Sequence, residues 1–127
     1  MAAILIVDDV SEVRTFIQRI LETSGFHLEF CYLAGDGEEA LAILRNHHVD
    51  LVISDVNMPR MGGEAMLRRM RKEAALEKIP VVMVSSDATQ SCRDRLLELG
   101  ASAYIVKPFD VREFRKQVEK ELGICHV

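Results

Sequence analysis

Five short aliphatic runs, each followed by a segment of helical spacing, constrain this chain more than any other feature. The runs are "AILIV" (2 or 3 to 7), "LEFCYL" (28–33), "LVIS" (51–54), "VVMVS" (81–85) and "AYIV" (103–106). Four of the five are nearly continuous apolar stretches, the mark of strands covered on both faces in a parallel sheet. After the first run, Val13, Phe16, Ile17, Ile20 and Leu21 recur at i, i+3, i+4, i+7 and i+8, which predicts a core-packed helix stopped at Gly25. Ala40, Leu41 and Leu44 predict a second helix, and Met66, Leu67 and Met70 a third. A fourth runs from Thr89 to Leu99 and stops at Gly100; a fifth carries Val111, Phe114, Val118 and Leu122 and stops at Gly123. Alternation of this kind implies right-handed crossovers and an α/β architecture, a doubly wound five-stranded parallel sheet with five helices. In such sheets ligands bind beyond the carboxyl ends of the strands, near a switch in strand order.

A length of 127 residues suits one domain with one sizeable core, expected over 1–127. No apolar run approaches the roughly 20 residues that span a bilayer. The amino end, "MAAILIVDDV", lacks a basic start and a long apolar stretch, so a cytoplasmic protein without membrane contact is expected. A net charge of -4 and a pI near 5.6 argue against binding nucleic acid through overall charge. Cys31, Cys92 and Cys125 are far apart and odd in number, which predicts reduced thiols rather than disulfides or a zinc site. His27, His47, His48 and His126 are read as exposed residues of loops and of the carboxyl end.

The chemistry lies at the strand ends. The first strand is followed by Asp8 and Asp9, and the third by Asp55. Singly, each acid has an ordinary reading as a helix cap or a loop carboxylate held by backbone N–H groups. Together they converge on one rim, where like charges raise one another's pKa unless a cation sits among them. A hard divalent ion with oxygen ligands, Mg2+, resolves that repulsion. The later strands add Ser85 and Ser86, and Lys107 ahead of Pro108. A hydroxyl and an ammonium facing a metal-bound carboxylate suit phosphoryl oxygens. Asp55 is thus the expected nucleophile, forming an acyl phosphate, with Asp8 and Asp9 holding the metal and Lys107 and Ser85 binding the phosphoryl group.

The motifs "VDD" at 7–9, "SDVNMPRMGG" at 54–63, "VSSDA" at 84–88 and "YIVKPF" at 104–109 resemble, in order and spacing, the response-regulator receiver family, CheY-like in particular, with its CheY-like (flavodoxin-like) fold. The resemblance implies two-component, phosphorelay signalling. A sensor histidine kinase or phosphotransfer protein, or a small phosphodonor, phosphorylates Asp55. Asn57 offers its backbone carbonyl to the metal; Ser85 and Tyr104 are the switch pair; Asn57 and Asp87 sit where the family tunes acyl-phosphate lifetime; the Lys107–Pro108 bond is typically cis. Phosphorylation draws the Ser85 hydroxyl inward, admits Tyr104 to the vacated space and reshapes the face of the fourth helix, fifth strand and fifth helix, which an unidentified partner reads. Arg93, Arg95, Arg112, Arg115 and Lys116 on that face would meet an acidic partner.

Two departures stand out. Gly62 occupies a position where the family often has Asp, which weakens the cap of the third helix. Ser85 replaces the commoner Thr. A stand-alone receiver is expected, monomeric or dimerising on phosphorylation, that catalyses only its own phosphorylation and autodephosphorylation. The alternatives are a receiver cut from a longer regulator with a DNA-binding or enzymatic output domain, and an aspartyl-nucleophile phosphatase, which usually wants a second acid where this chain has Asn57. The basic run "RRMRK", Arg68 to Lys72, interleaves Met70 at a core position and reads as a solvated helix face.

Overall fold

A computed structural model of the chain describes residues 2–25 and 27–123; Cys125 and His126 lie outside the described residues. Strands β1 (Ala2–Val7), β2 (Leu28–Ala34), β3 (Leu51–Asp55), β4 (Val81–Ser85) and β5 (Ala103–Val106) alternate with helices α1 (Ser11–Glu22), α2 (Gly37–Asn46), α3 (Gly63–Lys72), α4 (Gln90–Glu98) and α5 (Val111–Glu121). The strands form one parallel sheet in the order β2-β1-β3-β4-β5.

Strand parity divides the core in two. Ile4, Ile6, Leu51, Ile53, Val82 and Val84 pack on Ile17, Ile20 and Leu21 of α1 and Phe114 and Val118 of α5. Leu5, Val7, Val52, Val81, Met83 and Tyr104 meet Leu41 and Leu44 of α2, Met66, Leu67 and Met70 of α3, and Cys92 and Leu96 of α4. Both faces of the central strands are therefore buried, which is why their sequences read as unbroken apolar runs.

The edge departs from that pattern. β2 has one neighbour, and Phe30 and Leu33 remain 52% and 41% exposed. In α1, Phe16 is 52% exposed rather than buried in the stripe; its ring leans on Phe109 at 6.3 Å between centroids. Val111, also expected in the core, stands at the first turn of α5 and is 36% exposed.

Caps follow the sequence. Asp36 accepts from the Glu39 N–H, Thr89 from the Cys92 N–H, and Asp110 from the Arg112 and Glu113 N–H groups. Gly62, the N-cap of α3, supplies no side-chain bond, as its identity predicts. A Cβ there would lie 2.8 Å from the Val56 carbonyl oxygen, and one on Gly63 only 2.3 Å from that of Asp55. The two glycines thus let α3 begin directly against the backbone that follows β3.

The basic run of α3 is only partly a solvated face. Arg68 pairs with Glu64 at 3.2 Å, but Arg71 turns inward, donating to the Gly100 carbonyl at 2.8 Å and to that of Glu77 at 3.0 Å. It ties the end of α3 to the turn before β5.

Candidate functional site

The sheet order reverses between β1 and β3, one leading to the left of the sheet and the other to the right. Val7 pairs with Ser54 across those strands, so the next residues, Asp8 and Asp55, leave them side by side at the carboxyl ends. Asp8, Asp9 and Asp55 each offer a ligand oxygen, and these atoms all lie within 4.8 Å of one another. Asp8 is buried, Asp55 half-buried and Asp9 exposed.

From the end of β5, Lys107 places its Nζ 3.4 Å from Asp8 Oδ2 and 3.6 Å from Asp55 Oδ1. The Lys107 N–H donates to the Ser85 carbonyl at 2.7 Å, which fixes where that side chain starts, and the Lys107–Pro108 bond is cis. Asp8 accepts from the Val10 N–H at 2.9 Å and Asp55 from the Val56 N–H at 2.8 Å.

Burial pushes the Asp55 carboxyl above its ordinary range; Lys107 opposes that shift, Asp8 adds to it, and the Val56 and Asn57 N–H groups pull the other way. One ammonium faces a half-buried group of three acids, so the site favours a further cation. The donors are all hard carboxylate oxygens, the set that suits Mg2+.

Other expected residues stand at varying distance from this cluster. Ser85 is buried at the end of β4, and its Oγ accepts from the Asp87 N–H at 3.1 Å. Asn57 is exposed in the loop after β3. Asp87 turns from the rim, its carboxylate accepting from the Thr89 N–H at 2.8 Å and hydroxyl at 2.7 Å. Tyr104 lies below the rim and is 6% exposed; its hydroxyl donates to the Asp87 carbonyl at 2.5 Å, and its oxygen lies 3.3 Å from Cys92 Sγ. The aromatic expected to enter on phosphorylation therefore already occupies the interior.

On the face of α4, β5 and α5, Arg93, Arg112 and Lys116 are exposed, Arg115 is half-buried, and Arg95 is paired with Glu64 at 2.9 Å. His27, His47 and His48 are exposed; His47 rests on the Tyr32 ring at 4.8 Å and His48 pairs with Asp50 at 2.8 Å. Cys31 and Cys92 are free thiols. No helix among the described residues is long and apolar enough to cross a membrane.

Sequence reasoning missed two contributors. Arg14 donates to the Asp8 carbonyl at 2.6 Å, steadying the loop that carries both acids, and Cys92 gives Tyr104 a partner inside the core. Arg14 lies one turn into α1 and has no signal of its own, whereas Cys92, three residues after the capping Thr89, falls on the inner side of α4.

The family description "Response regulator receiver domain" matches residues 4–119. Chemotaxis protein CheY of Pseudomonas aeruginosa is 38% identical over 92% of this chain and 93% of its own length. A probable transcriptional regulator, ycf27, of Porphyridium aerugineum is 35% identical over 94% of this chain, which spans 47% of that relative. Among solved structures, a chain of the CheX–CheY–BeF3–Mg2+ complex from Borrelia burgdorferi superposes with a TM-score of 0.85 at 30% identity, covering 94% of this chain and 87% of that one.

Proposed function

This chain belongs to the response regulator receiver family of two-component systems, and on that premise we propose that it is a phosphoryl-accepting switch whose acceptor is Asp55. The observation that carries the reading is the convergence of Asp8, Asp9, Asp55 and Lys107 on the strand ends at the order reversal of the sheet. Asp8, Asp9 and Asp55, with the backbone carbonyl of Asn57, would hold Mg2+, which supplies charge neutralisation between the attacking carboxylate and the phosphoryl oxygens.

The residues divide the work. An oxygen of Asp55 attacks the phosphorus of a phosphohistidine; the new bond is the carboxyl O–P of an acyl phosphate, the broken one is N–P, and the imidazole leaves to take up a proton. Lys107, already between Asp8 and Asp55, pairs with a phosphoryl oxygen, and Ser85 donates its hydroxyl to another after leaving the Asp87 N–H. Water later cleaves the O–P bond, returning the Asp55 carboxylate and phosphate. The protein catalyses only this cycle on itself, with Asn57 and Asp87 setting the lifetime.

The donor is a sensor histidine kinase or phosphotransfer protein, the readout is the face of α4, β5 and α5 around Tyr104, and the compartment is the cytoplasm. The alignment with CheY along nearly its whole length supports a stand-alone receiver acting through protein contacts. A second reading, receiver of a longer regulator, is favoured by the ycf27 relatives, of which this chain spans about half.

Intact mass after incubation with acetyl phosphate and Mg2+ tests the proposal. One added phosphoryl group in the wild type, lost on chelation and in Asp55→Asn, is the expected result. No adduct, together with failure to bind beryllium fluoride, would refute it.

A further inference from the structure

A second structure holds the rim and belongs to none of the roles above. Asp36, whose side chain is 0% exposed, caps α2 through one oxygen, accepting from the Glu39 N–H at 2.9 Å. Its other oxygen accepts from both arms of the Arg60 guanidinium, from Nε at 2.8 Å and also from the terminal nitrogen. The Arg60 side chain is itself 64% exposed, so the pair is a buried acid reached by an arginine from outside. That arrangement joins the start of α2 to the loop after the nucleophile strand.

The backbone at Arg60 marks where the loop is under tension. Arg60 is the one non-glycine with positive φ among the described residues, at 61°. The Met61 N–H donates back to the Pro59 carbonyl at 2.7 Å, closing a three-residue turn centred on Arg60, and with positive φ this is the rare, strained sense of such a turn. Strain of this kind persists only where the surroundings over-determine it. Here they do: the Gly37 N–H donates to the Met61 carbonyl at 2.8 Å, alongside the guanidinium fork on Asp36. The far end of the loop is closed by the Gly63 N–H on the Val56 carbonyl, also at 2.8 Å. Asn57 and Met58 lie between these two ties.

We infer that the Arg60–Asp36 pair is a clip that positions the Asn57 backbone for the cation held by Asp8, Asp9 and Asp55. Arg60 is a positioning residue: it acts through the path of the loop and touches no reacting group. The inference rests on the metal reading given above. Its sign separates it from a simple charge effect. A guanidinium acting only through its charge repels Mg2+, and its removal tightens binding; a guanidinium acting through loop geometry weakens binding when removed.

Mg2+ titrated calorimetrically into wild type, Arg60→Gln, Arg60→Gly and Arg60→Lys, with thermal unfolding of each in chelator, decides the matter. The clip requires Arg60→Gln and Arg60→Gly to bind Mg2+ about 10-fold more weakly, the lower end of what loss of an outer partner does to a metal site. It requires Arg60→Lys to recover part of the loss; the chelated unfolding midpoints fall where Asp36 loses its partner, and titration well below them keeps every variant folded. Binding within twofold of wild type, or tighter, in both Arg60→Gln and Arg60→Gly overturns the clip. So does wild-type affinity in Arg60→Gly alone, which would assign the effect to the strained backbone rather than to the guanidinium. A wild type that takes up no Mg2+ removes the metal reading itself, and the positioning role falls with it.

Discussion

The Tyr104 hydroxyl points into the core at the sulfur of Cys92, 3.3 Å away, on the side of β5 that packs against α4. Its stronger bond goes to the Asp87 carbonyl, so the aromatic is held inward from two elements at once. Burial is the main cause raising the Tyr104 pKa, and the Cys92 contact adds to it, so the phenol stays neutral and free to donate. Tyr104→Phe should cost about 1 kcal/mol of unfolding free energy, the net worth of an ordinary buried hydrogen bond. Cys92→Ala should cost about 1–2 kcal/mol through the small void it leaves. Urea unfolding of the singles and the double variant should give a coupling of about 0.5 kcal/mol or more; strict additivity would show that the thiol and the phenol do not sense each other.

Lys107 is the counter-charge of the rim. Replacing it with methionine leaves Asp8 and Asp55 facing each other across a half-buried gap, so the chelated variant should unfold at a lower temperature than wild type. Mg2+ should narrow that difference, because the ion takes over the neutralising role. Labelling by acetyl phosphate should slow by roughly 100- to 1000-fold, the usual cost of losing one preorganised charge partner in a transition state. Unfolding midpoints with and without Mg2+, and the labelling rate by intact mass, measure the two effects separately.

Asp55→Asn should stabilise the metal-free protein, with a defined pH dependence. The Asp55 pKa is raised in the folded state, so between the unfolded value, near 3.8, and the folded value the native protein holds a proton that the unfolded chain has lost. Wild-type stability falls through that window as pH rises. The advantage of Asp55→Asn should accordingly be absent at low pH, grow across the window and level off above it. Chemical denaturation in chelator over a pH series would show this; an advantage independent of pH would contradict it.

Gly63→Ala should damage stability and chemistry together. The added Cβ meets the Asp55 carbonyl oxygen at 2.3 Å, and neither backbone yields without shifting α3 or the end of β3. A loss of about 1–3 kcal/mol is expected, with slower labelling of Asp55 in the fraction that remains folded. Gly25→Ala is the comparison, because its φ of 87° strains the new residue while nothing lies within 4 Å of the Cβ. It should lose stability alone and label at the wild-type rate.

The sequence made the central sheet legible because β1, β3 and β4 are buried on both faces, so their patterns needed no knowledge of their neighbours. β2 was less so. Its apolar content is similar, but the place of a strand in the sheet is a property of topology, and Phe30 and Leu33 are exposed because β2 has a single neighbour. Phe16 differs for another reason: it sits at the shoulder of the α1 stripe, where the spacing allows burial but the ring meets Phe109 and solvent. The rim acids and Lys107 could be found because strand ends are visible in sequence. Arg60 could not, since its partner, Asp36, is 24 residues away and only the fold brings a guanidinium to that carboxylate.

The ion pair between Lys107 and Asp8 joins residues 99 positions apart, across the β5 and β1 ends of the described chain. During synthesis the acids of β1 and β3 emerge long before their cation, and a nascent chain that has not yet placed β5 carries a cluster of like charges with no ammonium among them. The counter-charge of the rim is therefore supplied only once β5 is in place beside β4. On the proposed function, Asp55 would reach its full reactivity only in a chain whose fifth strand has docked.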